Sequence, residues 1–475
     1  METNTVESKM RVSFWEKCAY GMGDMACNLF WMTFVYFGLF FYTDVFGIPA
    51  AIAGTMLFIV RIVDIIYDVF VGAMADRTKS KYGKFRPWVL WFGIPFGVIG
   101  FLAFYTPDLA MSAKIVYAYI TYTAMMLIYS SLNVPYGAMM AVMTSDSNER
   151  TSLSAYRAIF SQFGGLVVLL VSMNLVKYLA DNYGSGTEAQ AMQFGFSTVM
   201  GIYSVLAIIM FAICFFNTRE RIAPVSEGNN KLTDDLKDLV KNVPWILLTF
   251  VAILTLIFVC VRNGAQIYYL KYYIVESQLF GFKVDYAVLF TIFGFVSTGV
   301  TILGTMLLKP VAAIFGKRNT YIGTMGLASV FCAVFYFIPA DQIWTMLICQ
   351  AAVNLFIGPS MAITWSMYAD VADDSEVKTG RRATGLIYSS ATMAQKFGWS
   401  IAAFVSGLFL AAFGFVANEE LGPEALGGIK FLFSWAPLIG TVLAIVTLLF
   451  YKLDEKTVAE NTAKLEAMKA EKEGK

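Results

Sequence analysis

The sequence predicts an all-α polytopic membrane protein, with about twelve spanning helices in two six-helix halves. Three observations carry this prediction. Of the 475 residues, 58% are hydrophobic and 15% charged, where a soluble protein carries about 25% charged residues. Uncharged runs at 115–145, 158–176, 194–217, 286–308, 342–369 and 431–451 approach or exceed the ~20 residues that a spanning helix requires. The longest polar stretch, 217–242, lies between the sixth and seventh apolar segments and divides the chain in two.

In chain order the spans are expected near 15–42, 49–74, 87–106, 114–143, 153–177, 196–217, 243–274, 285–308, 319–338, 342–369, 383–415 and 428–451. Several are apolar runs interrupted by single charges: Asp24 in the first, Arg61, Asp64 and Asp68 in the second, Arg262 in the seventh and Lys396 in the eleventh. The expected organisation is an N-terminal half at 1–217, a linker at 218–242, a C-terminal half at 243–452 and a tail at 453–475. The halves echo one another. Tyr82-Gly83-Lys84 follows the second span and Phe315-Gly316-Lys317-Arg318 the eighth, as a duplicated transporter would show, although any short cytoplasmic loop tends to be basic. The tail alternates Glu and Lys with Ala and Leu, which predicts a solvated helix without binding duty.

Charge placement gives orientation. Lys and Arg cluster at 77–86, 219–241, Lys317–Arg318 and 378–382, and are sparse around Asp44, Asp108, Asp181, Asp341 and Glu419–Glu420. By the positive-inside rule the basic loops and both termini are cytoplasmic, in a multi-pass protein of the cell (inner or plasma) membrane. The N-terminus is polar through Glu7 and Lys9, without a cleavable signal pattern. A net charge of +1 gives no reason for a nucleic-acid partner. The six cysteines are scattered and there is no histidine. A disulfide framework, a Ser–His–Asp triad, a His-based metal site and a His proton relay are therefore not expected. With no nucleophile–base pair or metal cluster in view, an enzyme is the weakest reading.

The second span holds the most informative residues. Arg61, Asp64 and Asp68 share one helical face, in surroundings where a carboxylate costs roughly 2.5–3.5 kcal/mol. Two carboxylates one turn apart in low dielectric need a cation, a proton or Arg61 to hold them. That points to an ion-coupling site, with a structural Arg–Asp cluster pinning helices together as the competing reading. Asp24 and Asn28 lie one turn apart in the first span, after Tyr20. The fourth carries Tyr129, Ser130, Ser131 and Asn133, then Pro135, which can kink a helix where protein or a polar cavity satisfies the freed carbonyl. Amides and hydroxyls beside aromatic rings suit a sugar; interhelical hydrogen bonding is the alternative. Arg157, Arg262 and Lys396 could balance the aspartates, orient substrate hydroxyls or snorkel to a surface. Asn263, Gly264 and Gln266 suggest a polar cavity wall, and Trp399 lies about a turn from Lys396. Asp370, Asp373, Asp374 and Glu376, then Lys378, Arg381 and Arg382, are expected in a loop after the tenth span, either solvated or forming a latch of ion pairs.

Several motifs in order resemble one family. They are Tyr20-Gly21-Met22-Gly23-Asp24 with Asn28, Tyr42-Thr43-Asp44-Val45-Phe46-Gly47, Arg61-Ile62-Val63-Asp64-Ile65-Ile66-Tyr67-Asp68, Tyr82-Gly83-Lys84-Phe85-Arg86-Pro87-Trp88, Asn133-Val134-Pro135-Tyr136, and Tyr156-Arg157. Together they resemble the glycoside–pentoside–hexuronide cation symporters, whose best-known member is melibiose permease. The resemblance covers most of the chain and is strongest in the first half. It implies a major-facilitator fold and symport of a small glycoside with Na+ or H+, with no cofactor, in a chain functional as a monomer. The family's cation ligands fall on Asp64, Asp68 and Ser130, with Tyr67 where an asparagine ligand stands in melibiose permease. Its sugar contacts fall on Asn28 and Asn133, with Tyr129 and Arg157 nearby and Lys396 in the eleventh span. Melibiose permease has carboxylates where Asn28 and Asn133 stand, so its galactoside preference does not transfer. It also has a tryptophan where Gly137 stands, so a different ring must cover the sugar. The expected sites are thus Asp64, Asp68, Ser130 and Tyr67 for the cation, with Arg61 balancing charge. For substrate they are Asp24, Asn28, Tyr129, Asn133, Arg157, Arg262, Asn263, Lys396 and Trp399. Two rivals remain: a carrier of a lipid-like or other non-sugar solute, and a non-transporting receptor or scaffold.

Overall fold

The computed structural model describes residues 12–144, 147–221, 241–274, 277–279, 282–379 and 384–473. Most of the linker, Arg381, Arg382 and the polar N-terminus with Glu7 and Lys9 lie outside them. Helices fill the described chain. They are α1 (Phe14–Phe40, continued by a π-helical turn to Val45), α2 (Ala50–Arg77), α3 (Arg86–Leu102), α4 (Met111–Met143), α5 (Ser147–Val167) and, after a second π-helical turn, α6 (Met173–Tyr183) and α7 (Glu188–Asn217). Then come α8 (Val243–Tyr268), α9 (Tyr286–Phe315), α10 (Lys317–Phe335), α11 (Ile343–Thr379), α12 (Thr384–Ala412), α13 (Pro423–Ser434), α14 (Ala436–Leu449) and α15 (Glu455–Glu473). A hairpin of β1 (Ser277–Leu279) and β2 (Phe282–Val284) separates α8 from α9, with Gln278 paired to Lys283.

Among the described residues, eight helical stretches are long and apolar enough to cross a membrane. With α2, α3, α10 and α12 they account for twelve spans. The helices outside the eight have local reasons. α3 has 17 residues, α10 opens on Lys317-Arg318, and α2 carries Arg61, Asp64 and Asp68. The span with the densest intramembrane charge is thus one that a purely apolar criterion misses.

The chain forms two compact units, Met1–Glu227 with Phe415–Glu420, and Gly228–Gly414 with Leu421–Lys475. In the first, α1 packs on α5, α2 on α4 and α3 on α7. In the second, α8 packs on α12, α9 on α11 and α10 on α14. Counted by span, the pairings 1–5, 2–4 and 3–6 recur as 7–11, 8–10 and 9–12, the signature of an internal repeat.

The two glycine turns repeat as well. Gly83 (φ +109) and Gly316 (φ +76) adopt left-handed backbone, which suits glycine. At the first turn the Glu220 carboxylate accepts the backbone N–H groups of Lys84, Phe85 and Arg86, each at 2.7 Å. At the second, Glu455 accepts Lys317 N–H at 2.8 Å. In both units an acid just beyond the sixth span of the unit caps the start of its third, where free N–H groups and the helix dipole favour an anion.

Three expectations need correction. The tenth span does not end near 369. α11 runs to Thr379, so Asp370, Asp373, Asp374 and Glu376 sit in its last turns, not in a loop. No Gly or Pro lies between Pro359 and Thr379 to stop the helix, and partners accept the charge: Lys317 binds Asp370 at 2.6 Å and Lys378 binds Asp374 at 2.7 Å. The tail is not merely solvated. Asn461, 6% exposed, donates to Asp374 at 3.1 Å, and Leu465 is buried, so α15 is docked on the second unit. The sixth span starts at Glu188 rather than near 196, because Thr187 and Gln190 form a reciprocal capping box that fixes the helix start in polar sequence.

Candidate functional site

The packing of α2 on α4 builds the first part of the site. Asp64 is completely buried. Arg61, one turn earlier and also buried, reaches Asp64 Oδ2 with Nη1 at 3.4 Å. From α4, Ser130 donates a hydrogen bond to Asp64 Oδ1. One carboxylate therefore carries a cationic and a hydroxyl partner in place of solvent. Tyr67 turns to Ser131, Oη to Oγ 3.0 Å, and so meets α4 one residue beyond the Asp64 contact. Asp68 is half-buried one turn after Asp64. The proline in α4 leaves the helix continuous from Met111 to Met143.

A second cluster joins α1, α4 and α5. Arg157 faces Asp24, with Nε to Oδ2 at 3.4 Å, and its guanidinium lies over the Tyr136 ring at 5.2 Å. It points inward rather than snorkelling. A Cβ at Gly137 would lie 3.5 Å from Arg157 Nη1, in ordinary van der Waals contact, so Gly137 borders the guanidinium. Asn28 Nδ2 donates to Ser161 Oγ at 2.8 Å and to the Asp24 carbonyl at 2.9 Å, tying α1 to α5. Asn133 Nδ2 reaches Tyr129 Oη at 3.3 Å, while its Oδ1 is buried with no hydrogen-bond partner among the described residues. An orphaned buried acceptor costs roughly 1–3 kcal/mol, and a substrate hydroxyl is the kind of donor that relieves it.

The remaining candidates lie in the second unit. Arg262, 3% exposed, donates to Gln350 Oε1 at 2.6 Å, the Phe433 carbonyl at 2.9 Å and Cys332 Sγ at 2.9 Å. Its guanidinium packs over Phe433 at 4.2 Å and Phe335 at 5.0 Å. Gln350 continues to Ser297 at 2.8 Å, which also accepts from Asn354 at 3.2 Å. Lys396 and Trp399 are half-buried on α12 and Asn263 is half-buried on α8. No group of three or more His, Cys, Asp or Glu side chains that could hold a metal ion occurs among the described residues.

Sequence reasoning missed Trp31, Ser161, Gln350 and Asn354. Trp31 had a readable signal: 24, 28 and 31 fall at i, i+4 and i+7, one helical face. Its indole lies under the Arg61 guanidinium at 4.1 Å and stacks on Tyr129 with centroids 5.2 Å apart.

Residues 19–455 match the family described as MFS/sugar transport protein. The chain belongs to that family. It is 34% identical over 464 residues to "Uncharacterized symporter YnaJ" of Bacillus subtilis (97% of this chain, 96% of the relative). It is 33% identical over 453 residues to the "Isoprimeverose transporter" of Lactiplantibacillus pentosus (95% and 91%). A third relative, "Putative glycoside/cation symporter YagG" of Escherichia coli, is 31% identical over 444 residues (93% of each). Among solved structures, a bacterial homologue of the human lysosomal transporter Spinster superposes with a TM-score of 0.70 at 13% identity, covering 95% of this chain and 99% of that one. The D-xylose–proton symporter superposes with a TM-score of 0.62 at 13% identity, covering 93% and 97%. These superpositions give the major-facilitator fold. The family is that of the glycoside–pentoside–hexuronide cation symporters, so the chain is a multi-pass membrane transporter and not an enzyme.

Proposed function

We propose that this chain imports a small glycoside, pentoside or hexuronide with Na+ or H+ by alternating access. It acts as a monomer in a bacterial inner membrane with both termini cytoplasmic. The observation that carries the reading is on α4. Ser130 holds the fully buried Asp64 carboxylate, and three residues on, Asn133 presents a buried acceptor without a donor. A cation-type site and a hydroxyl-type site thus share one rigid element.

In this reading Asp64, Asp68 and Ser130 supply oxygens to the coupling ion. Arg61 pairs with Asp64 until the ion arrives, and Tyr67 braces α2 on α4 through Ser131. Asn133 and the Tyr129 hydroxyl contact the sugar, and the Asp24–Arg157 pair orients its hydroxyls. Asn28 sets the α1–α5 spacing through Ser161. Arg262 holds the second unit together through Gln350 and Phe433, and Asn263, Lys396 and Trp399 are that unit's own candidates for substrate contact. Neutralising Asp64 favours the sugar-binding state, and linkage makes the effect reciprocal, by about 1–3 kcal/mol.

The relatives' names support a sugar: one is an isoprimeverose transporter and another a "Glucuronide carrier protein homolog". The test is uptake of a glycoside panel, including isoprimeverose and methyl glucuronide, into vesicles with sodium and proton gradients imposed separately. Accumulation driven by one gradient is expected. Uptake that ignores both would leave a facilitator and defeat symport.

A further inference from the structure

We propose that Trp31 is a positioning residue that couples the carboxylate site on α2 to the amide site on α4, so that sugar affinity senses what occupies Asp64. The inference rests on the symport reading above.

The contacts form one unbroken chain. Arg61 Nη1 lies 3.4 Å from Asp64 Oδ2. The guanidinium carbon sits 4.1 Å above the Trp31 ring. The indole stacks on Tyr129 at 5.2 Å with 27° between planes, and Tyr129 Oη accepts from Asn133 Nδ2 at 3.3 Å. Ser130, bonded to the same Asp64, closes the loop through the backbone of α4. Trp31 and Tyr129 are 6% and 9% exposed, so neither ring offers a broad face to a substrate.

The Asp64 charge along its edge and the indole π-face beneath it both attract the guanidinium. A cation bound at Asp64 weakens the pull of its charge and leaves that of the ring, so Arg61 settles onto Trp31. Trp31 is wedged between Arg61 and Tyr129 in a dense interior, where small displacements pass to neighbours rather than being absorbed. The stack hands the displacement to the phenol that orients Asn133. Contiguity alone does not establish coupling, and a Trp31 that merely fills the core predicts lost stability with coupling unchanged.

The experiment measures binding of the panel glycoside that the wild type accumulates, with isoprimeverose as first probe, to detergent-purified protein with and without sodium, in acidic and in alkaline buffer. The wild type is expected to bind about tenfold more tightly with its coupling ion. Trp31→Leu, which keeps bulk without a π-face, should hold its ion-free affinity but reduce that enhancement to about twofold. Trp31→Phe should restore part of it. Full enhancement in Trp31→Leu overturns the proposal, whatever happens to stability. If Trp31→Leu does not fold, Tyr129→Phe severs the same chain at the phenol, and full enhancement there overturns it equally. A wild type that binds sugar without any ion effect defeats the symport reading itself, and the proposal with it.

Discussion

The α2–α4 pair of the first unit and the α9–α11 pair of the second occupy equivalent places in the repeat, yet they are joined by different chemistry. Between α2 and α4 the link runs through a carboxylate: Asp64, fully buried, accepts from Ser130 across the pair and from Arg61 on its own helix, beside the Tyr67–Ser131 contact. Between α9 and α11 it is neutral, Ser297 with Gln350 and Asn354. The nearby cation, Arg262, gives its N–H groups to an amide, a carbonyl and a thiol. A carboxylate can exchange one cationic partner for another at modest cost. An amide network can only be made or broken. The comparison teaches that the helix packing repeats between the units while the chemistry joining equivalent helices does not.

The largest test removes that asymmetry. Asp64→Asn, and likewise Asp68→Asn, should abolish gradient-driven accumulation while leaving the protein inserted. The ion site loses the charge that lets it harvest a gradient, and Asp64→Asn also leaves Arg61 buried without its counter-charge, which destabilises by about 3–5 kcal/mol in comparable sites. Uphill transport at the wild-type rate would show that these carboxylates do not couple. Next in size, Asn133→Ala should weaken sugar binding roughly ten- to a hundredfold, since stranding a hydrogen-bond partner costs ~1–3 kcal/mol. Intact affinity with a large drop in thermal stability would instead make Asn133 interhelical glue, the role that Gln350 fills in the second unit.

Gln350→Ala sharpens the contrast from the other side. It strips the acceptor from Arg262 Nη2, so thermal stability should fall by about 1–3 kcal/mol, while the ion dependence of uptake stays as in the wild type. A changed ion preference would mean that the neutral network takes part in coupling. The smallest effect concerns the tail. Asp454 accepts from both the N–H and the hydroxyl of Thr457, which holds its carboxyl below the usual range. The stabilisation is therefore present at neutral pH and is lost only as pH falls below the ordinary carboxylate range, through the lowered value. Limited proteolysis of α15 should be flat across neutral and mildly acidic pH and rise in strong acid. A rise at neutral pH would show that this cap does not secure the helix.

Much of the first unit was legible because its signals are local. Arg61, Asp64 and Asp68 announce themselves as charges in an apolar helix, and their spacing alone puts them on one face. Ser130 was found through resemblance, and its bond to Asp64 required α2 and α4 to meet. Tyr67 shows the limit. Its position 100° round the helix from Asp68 says that the two diverge, yet only packing reveals that its hydroxyl ends on Ser131. The tail and the acidic end of α11 were misread for the same reason. Asp370 and Asp374 look like loop residues until Lys317 and Asn461, 53 and 87 positions away in sequence, come to meet them.

By itself, the sequence determined the class of molecule, the number of its spans and the helix that carries the ionisable pair. Those properties depend on hydrophobic length and on periodicity within one helix, where neighbours in sequence are neighbours in space. Tertiary structure decided which polar groups are satisfied and which are left wanting. Asn28 and Asn133 are the same residue type and both are half-buried. One is consumed by Ser161, while the other keeps a buried acceptor. That difference is set by which helix packs opposite, because a hydrogen bond depends on a partner within about 3 Å and no pattern within a single helix encodes it.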